Sequence, residues 1–63
     1  MRKSAIAIAE ILVRRDGVTL EEAKETVREV QALLLADLEE GGDLEETIAR
    51  ELGLEPDYIF DLL

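Results

Sequence analysis

Between Thr19 and Glu40 the sequence TLEEAKETVREVQALLLADLEE places Leu20, Ala23, Val27, Val30, Leu34 and Leu38 at spacings of three and four, which only a helix gathers onto one face. In a chain of 63 residues, so long a helix is the one element that can give every other apolar stripe a partner. It is therefore read as a central spine. Leu33 and Leu35 flank the stripe near its end, which predicts nearly all-round burial from Leu33 to Leu38, where several helices or two subunits meet.

The flanking segments carry their own punctuation. Ser4 is a candidate N-cap for a first helix, Ser4–Arg15, whose Ala5, Ile6, Ile8, Ala9, Ile11, Leu12 and Val13 spread over an apolar arc of roughly 220°. One neighbouring helix covers less than that, so the first helix is expected to be sandwiched or shared with a second subunit. Asp16-Gly17 ends it, with Gly17 suited to a left-handed C′ position and Val18 folding back onto the last turn. Thr19 and Glu22 form a capping box for the spine, and Asp43 with Glu46 forms another after the Gly41-Gly42 break. That second box opens a short helix carrying Leu44, Ile48 and Leu52. Gly53 and Leu54 close it, and Pro56 at a first helical position opens a last helix, Pro56–Leu63, with Ile59, Leu62 and Leu63 facing inward and Tyr58 and Phe60 to either side.

Chain length and composition then exclude several kinds of chemistry. A single domain of this size has a marginal core unless something reinforces it. The absence of Cys and His removes disulfides, thiolate chemistry, ordinary zinc sites and a histidine base, leaving self-association as the obvious reinforcement. The opening MRKSAIAIAEILVRR has the outline of a signal peptide, but Glu10 interrupts its apolar run, and a cytoplasmic protein is expected. No membrane span is expected, because no stretch approaches the ~20 apolar residues that one requires.

The net charge of −9 is unevenly placed. Residues 1–36 hold six acids against six bases, whereas residues 37–63 hold ten acids against Arg50 alone. One end of the molecule is therefore anionic, which disfavours nucleic acid or anionic lipid there and favours a basic partner. A solvated face that keeps the protein dissolved would carry the same charges.

Paired carboxylates are plentiful, but a small helical bundle lends little interior for separating their pKa values, and Lys24, Tyr58 and Ser4 have no base beside them by sequence logic. No enzyme activity and no cofactor are expected. The acids around Gly41-Gly42 fail as a calcium loop: counting from Asp37, the twelfth position, where a bidentate Glu belongs, is Ile48.

The segment ETIARELGLEPDYIFDLL resembles a helix-turn-helix of the phage-repressor type, with Ala49 as the small residue of the first helix, Gly53 at the turn and Ile59 as the packing residue of the second. The resemblance covers about a quarter of the chain and implies geometry rather than activity. Family recognition helices carry basic or amide side chains toward bases and phosphates, whereas this one offers Asp57, Tyr58, Phe60 and Asp61, so DNA is not the expected partner. The wider layout, a DGV turn, a helix opening LEEA, a glycine break and LGLEPDYIFDLL, resembles small uncharacterised acidic helical proteins of phages and mobile elements of Gram-positive bacteria. That likeness implies a genomic setting and no mechanism. A comparison of DGVTLEEA with ubiquitin-associated domains is looser, since the spine is about twice the helix such a domain uses.

The sequence thus predicts one all-α domain over residues 1–63: a small bundle of three to four helices with one long central helix and a helix-turn-helix-like C-terminal pair. A homodimer is expected, with Ile6, Val13, Leu33 and Leu35 as its contact residues. The leading function is a non-enzymatic interaction module that offers Asp57, Tyr58, Phe60 and Asp61 to a basic or nucleic-acid-binding protein. The alternatives are a small DNA-binding regulator, using the C-terminal corner or Arg2, Lys3, Arg14 and Arg15, and a purely structural self-associating piece.

Overall fold

In the computed structural model, which describes residues 2–63, the chain forms four α-helices, α1 (Lys3–Asp16), α2 (Leu20–Glu40), α3 (Leu44–Leu52) and α4 (Ile59–Leu62), the last entered through a 3₁₀ turn at Pro56–Tyr58. There is no strand among the described residues. At ~1.5 Å per residue a 21-residue helix spans about 31 Å, so α2 runs the whole 32 Å long axis of the molecule. The other elements wrap it: α1 packs back along its first two thirds, α3 along its end, and the Pro56–Leu62 segment closes against α3 and the start of α1.

The boundaries follow from the punctuation. Gly17, Gly41 and Gly53 adopt φ of 70°, 75° and 66°, the left-handed region, and the Gly17 and Gly53 amides donate to Val13 O and Ala49 O, each at 3.0 Å. Val18 and Leu54 then pack against the core, completing the endings. Thr19 Oγ1 accepts from the Glu22 amide at 3.1 Å, and Asp43 Oδ1 accepts from the amides of Glu45 and Glu46 at 3.1 and 3.2 Å. The acidic members of the two boxes act differently from expectation. Glu22 Oε1 accepts from the Thr19 hydroxyl, and Glu46 pairs with Arg50 at 3.8 Å, one turn along α3.

Three placements correct the sequence reading. Ser4 does not cap α1, since Arg2 holds that position without a side-chain bond; the Ser4 hydroxyl instead donates to Asp61 O at 3.1 Å, tying the start of α1 to α4. Leu20, Leu38 and Leu63, read as inward-facing, are 40%, 55% and 45% exposed. Within this chain Leu34 alone of the leucines from 33 to 38 is buried. The reason is length: α1 has 14 residues and α2 has 21, so α2 outruns its antiparallel neighbour by about two turns, roughly 10 Å. On that overhang only one side of α2 is covered.

The core is accordingly a single cluster of Ala5, Ile8, Ala9 and Leu12 from α1, Ala23, Val27, Val30 and Leu34 from α2, Ile48 and Leu52 from α3, and Leu62 from α4. The C-terminal end of the last segment is held through two adjacent carbonyls, Asp61 O accepting from Ser4 Oγ and Leu62 O from Gln31 Nε2 at 3.0 Å. No helix among the described residues is long and apolar enough to cross a membrane.

Candidate interaction surface

A seven-residue segment cannot point all of its side chains the same way. From Pro56 to Leu62 the chain buries Leu62 and half-buries Tyr58 and Ile59 against the core. Tyr58 and Leu62 stand one turn apart, and Phe60, about 200° from each, turns out and is 83% exposed. Asp57 lies one turn before Phe60 and is exposed with it. The four residues expected to act together therefore separate: Asp57 and Phe60 face solvent on one side, Tyr58 turns inward, and Asp61 lies against α1, where its carbonyl holds Ser4.

The outward side is concave. Phe60, Ile59, Leu63 and Pro56 form one wall of a trough of ≈ 560 Å³, and Leu44 in the first turn of α3 forms the other. A second depression of ≈ 430 Å³, floored by Gly41 and Gly42, shares Leu44, Glu45 and Ile59 with it, so the two are one continuous feature. The overhang of α2 carries further exposed apolar surface outside the lining of the two depressions. Gln31, Leu35 and Leu38 occupy one side of that helix at i, i+4 and i+7, and the Gln31 bond to Leu62 places that side against α4. Leu35 is 56% exposed and Leu38 55%.

Glu45 and Asp57 stand in the trough lining, and Asp43 lines the adjoining depression. Arg50, the lone base of residues 37–63, is occupied elsewhere by Glu46 and by Glu51 at 3.3 Å. Arg2 and Lys3, just before and at the start of α1, line neither depression. The trough thus carries one acid on each wall, Glu45 beside Leu44 and Asp57 beside Pro56, and no base in its lining. In the neutral half, paired hydrogen bonds between Arg15 and Asp16 raise the guanidinium and lower the carboxylate from their ordinary values.

Of the residues expected to make a dimer, Ile6 and Val13 share one side of α1 at i, i+7 and are half-buried. Leu33 and Leu35 lie about 200° apart around α2, so the four do not make one face. Val13 instead joins Leu20, Glu10 and Arg14 around a shallow depression of ≈ 210 Å³. Leu44, Glu45 and Leu63 were not singled out as site residues by sequence. Leu44 continues the i, i+4, i+8 stripe of Ile48 and Leu52, and periodicity does not reveal that the first turn of that stripe forms a rim.

The residues read as a helix-turn-helix-like pair form α3, a left-handed Gly53 and the Pro56–Leu62 segment. Ala49 is exposed, and its second helix comprises a 3₁₀ turn and four α-helical residues. Among the described residues no three His, Cys, Asp or Glu side chains are grouped to hold a metal ion. No protein family, curated protein or solved structure significantly matches the sequence or the fold.

Proposed function

We propose that this protein is a non-enzymatic interaction module of the cytoplasm that presents its acidic C-terminal surface to a basic, nucleic-acid-binding protein. The observation that carries this reading is Phe60, 83% exposed and in line with Asp57 on a half of the chain with ten acids and one base. An aromatic ring left in water is a ready anchor for a partner, and the surrounding carboxylates select the sign of that partner's charge. The same acids repel phosphate, which favours a protein over DNA as the bound species and suits an inhibitor, of the kind phages carry, that imitates phosphate spacing.

The immobilised protein should retain a lysine-rich linker histone, used as a generic basic probe, at 50 mM salt, and duplex DNA should displace it. Raising the salt to 200 mM should lower the affinity about tenfold, since exposed charges are screened beyond ~10 Å. Salt-independent retention, or a gel shift of DNA by this protein itself, would overturn the proposal.

Self-association belongs to the same reading, and the Val13–Leu20 depression supports it. Glu10 and Arg14 flank that depression, so two copies facing each other there can pair opposite charges rather than like ones. Sedimentation equilibrium at tens of micromolar should give a dimer mass, and Val13→Glu should return it to monomer. A wild-type monomer across that range removes the dimer.

A further inference from the structure

Resting on the acidic-surface reading, we infer that the trough between the first turn of α3 and Pro56–Leu63 receives a cationic amphipathic helix of the partner. Its apolar stripe lies on Leu44, Ile59, Phe60 and Leu63, and its basic residues face Glu45 and Asp57. The shape carries the first part. The trough and its adjoining depression form an apolar channel open along one side, bounded by two helical walls, and helical surfaces pack by setting a ridge of side chains into such a groove. With no strand among the described residues, an extended peptide finds no free sheet edge on which to pair its backbone.

Charge decides among occupants. A second copy docking here by a two-fold axis would bring Glu45 and Asp57 against their own equivalents, with Arg50 already engaged on another face. Nucleic acid and anionic lipid meet the same repulsion. A lysine- or arginine-bearing helix meets complementary charge at Glu45 on one wall and Asp57 on the other, with the apolar surface of Leu44, Ile59, Phe60 and Leu63 beside them. Its basic residues therefore flank the apolar stripe, toward Glu45 on one wall and Asp57 on the other.

Three fluorescein-labelled 14-residue peptides test this by anisotropy: a leucine–lysine sequence with leucines on one helical face, the same composition rearranged so that leucines surround the helix, and oligolysine. The one-faced peptide should bind at least about tenfold more tightly than the rearranged one. Phe60→Ala, at an exposed position that leaves the urea midpoint unchanged, should remove that difference, and Glu45→Gln with Asp57→Asn should weaken all three peptides. Methyl NMR should place the one-faced peptide at Leu44, Ile59 and Leu63. Equal binding of the one-faced and rearranged peptides, or no effect of Phe60→Ala, overturns the groove while leaving the acidic surface standing. Failure of all three peptides, oligolysine included, overturns both. A dimer that Phe60→Ala dissolves would assign the trough to a second copy and overturn the inference as well.

Discussion

Leu34→Ala should remove roughly 3–4 kcal/mol of folding stability, the usual cost of emptying a fully buried leucine site. Leu34 has no exposed surface and sits where α2 meets the core of all the other helices. A 63-residue domain holds only about 3–9 kcal/mol in total at ~0.05–0.15 kcal/mol per residue, so the substitution should remove about a third or more of it and would unfold a wild type near the low end of that range. Leu38→Ala, one turn further along the same stripe, should cost less than about 1 kcal/mol because the side chain is 55% exposed. Urea titration followed by circular dichroism measures both. Should Leu38→Ala approach the cost of Leu34→Ala, with a midpoint that depends on protein concentration, the overhang of α2 is covered in solution by another copy.

That contrast also marks what could be read from sequence. The period of α2 and its caps are local properties: Thr19 and Asp43 accept from amides two or three residues on, and Gly17, Gly41 and Gly53 donate their own amides to carbonyls four residues back, each at an expected helix end. Which members of a periodic stripe find cover is not local. Leu20 and Leu38 obey the same period as Val27 and Leu34, yet they lie at the ends of α2, and burial there depends on how far α1 and the last segment reach. The surface site was half legible for a related reason. Its charge follows from composition, and Phe60 was suspected, but the choice between Tyr58 and Phe60 as the outward ring depended on Leu62 being drawn into the core. The opposing wall at Leu44 exists only because the Gly41–Asp43 turn folds α3 back on α2.

That turn is the subject of the second large effect: Gly42→Ala should cost about 1.5–2 kcal/mol although Gly42 is exposed and lacks a left-handed φ. A Cβ at Gly42 would sit 2.6 Å from Asp37 Oδ1 and 3.0 Å from its Cγ, closer than unbonded atoms approach. The carboxylate is not free to retreat. Its other oxygen accepts the hydroxyl of buried Thr47, while the Asp37 carbonyl accepts the Gly41 and Gly42 amides, so one residue ties the end of α2 to both the turn and α3. If Asp37 swings away, the Thr47 hydroxyl can still donate to Asp43 O at 3.2 Å, which limits the penalty to the lost carboxylate bond and the shifted turn. Thr47→Val removes the restraint on Asp37 by itself, so in that background Gly42→Ala should cost about 1 kcal/mol less than in the wild type. Chemical denaturation of the four proteins in the cycle reads that coupling directly. Additive costs would mean that the resistance lies in the backbone of the turn and not in the Asp37–Thr47 bond. Because Gly42 and Leu44 line the same depression, a coupled cycle would also make this carboxylate the support that sets the position of the trough's α3 wall.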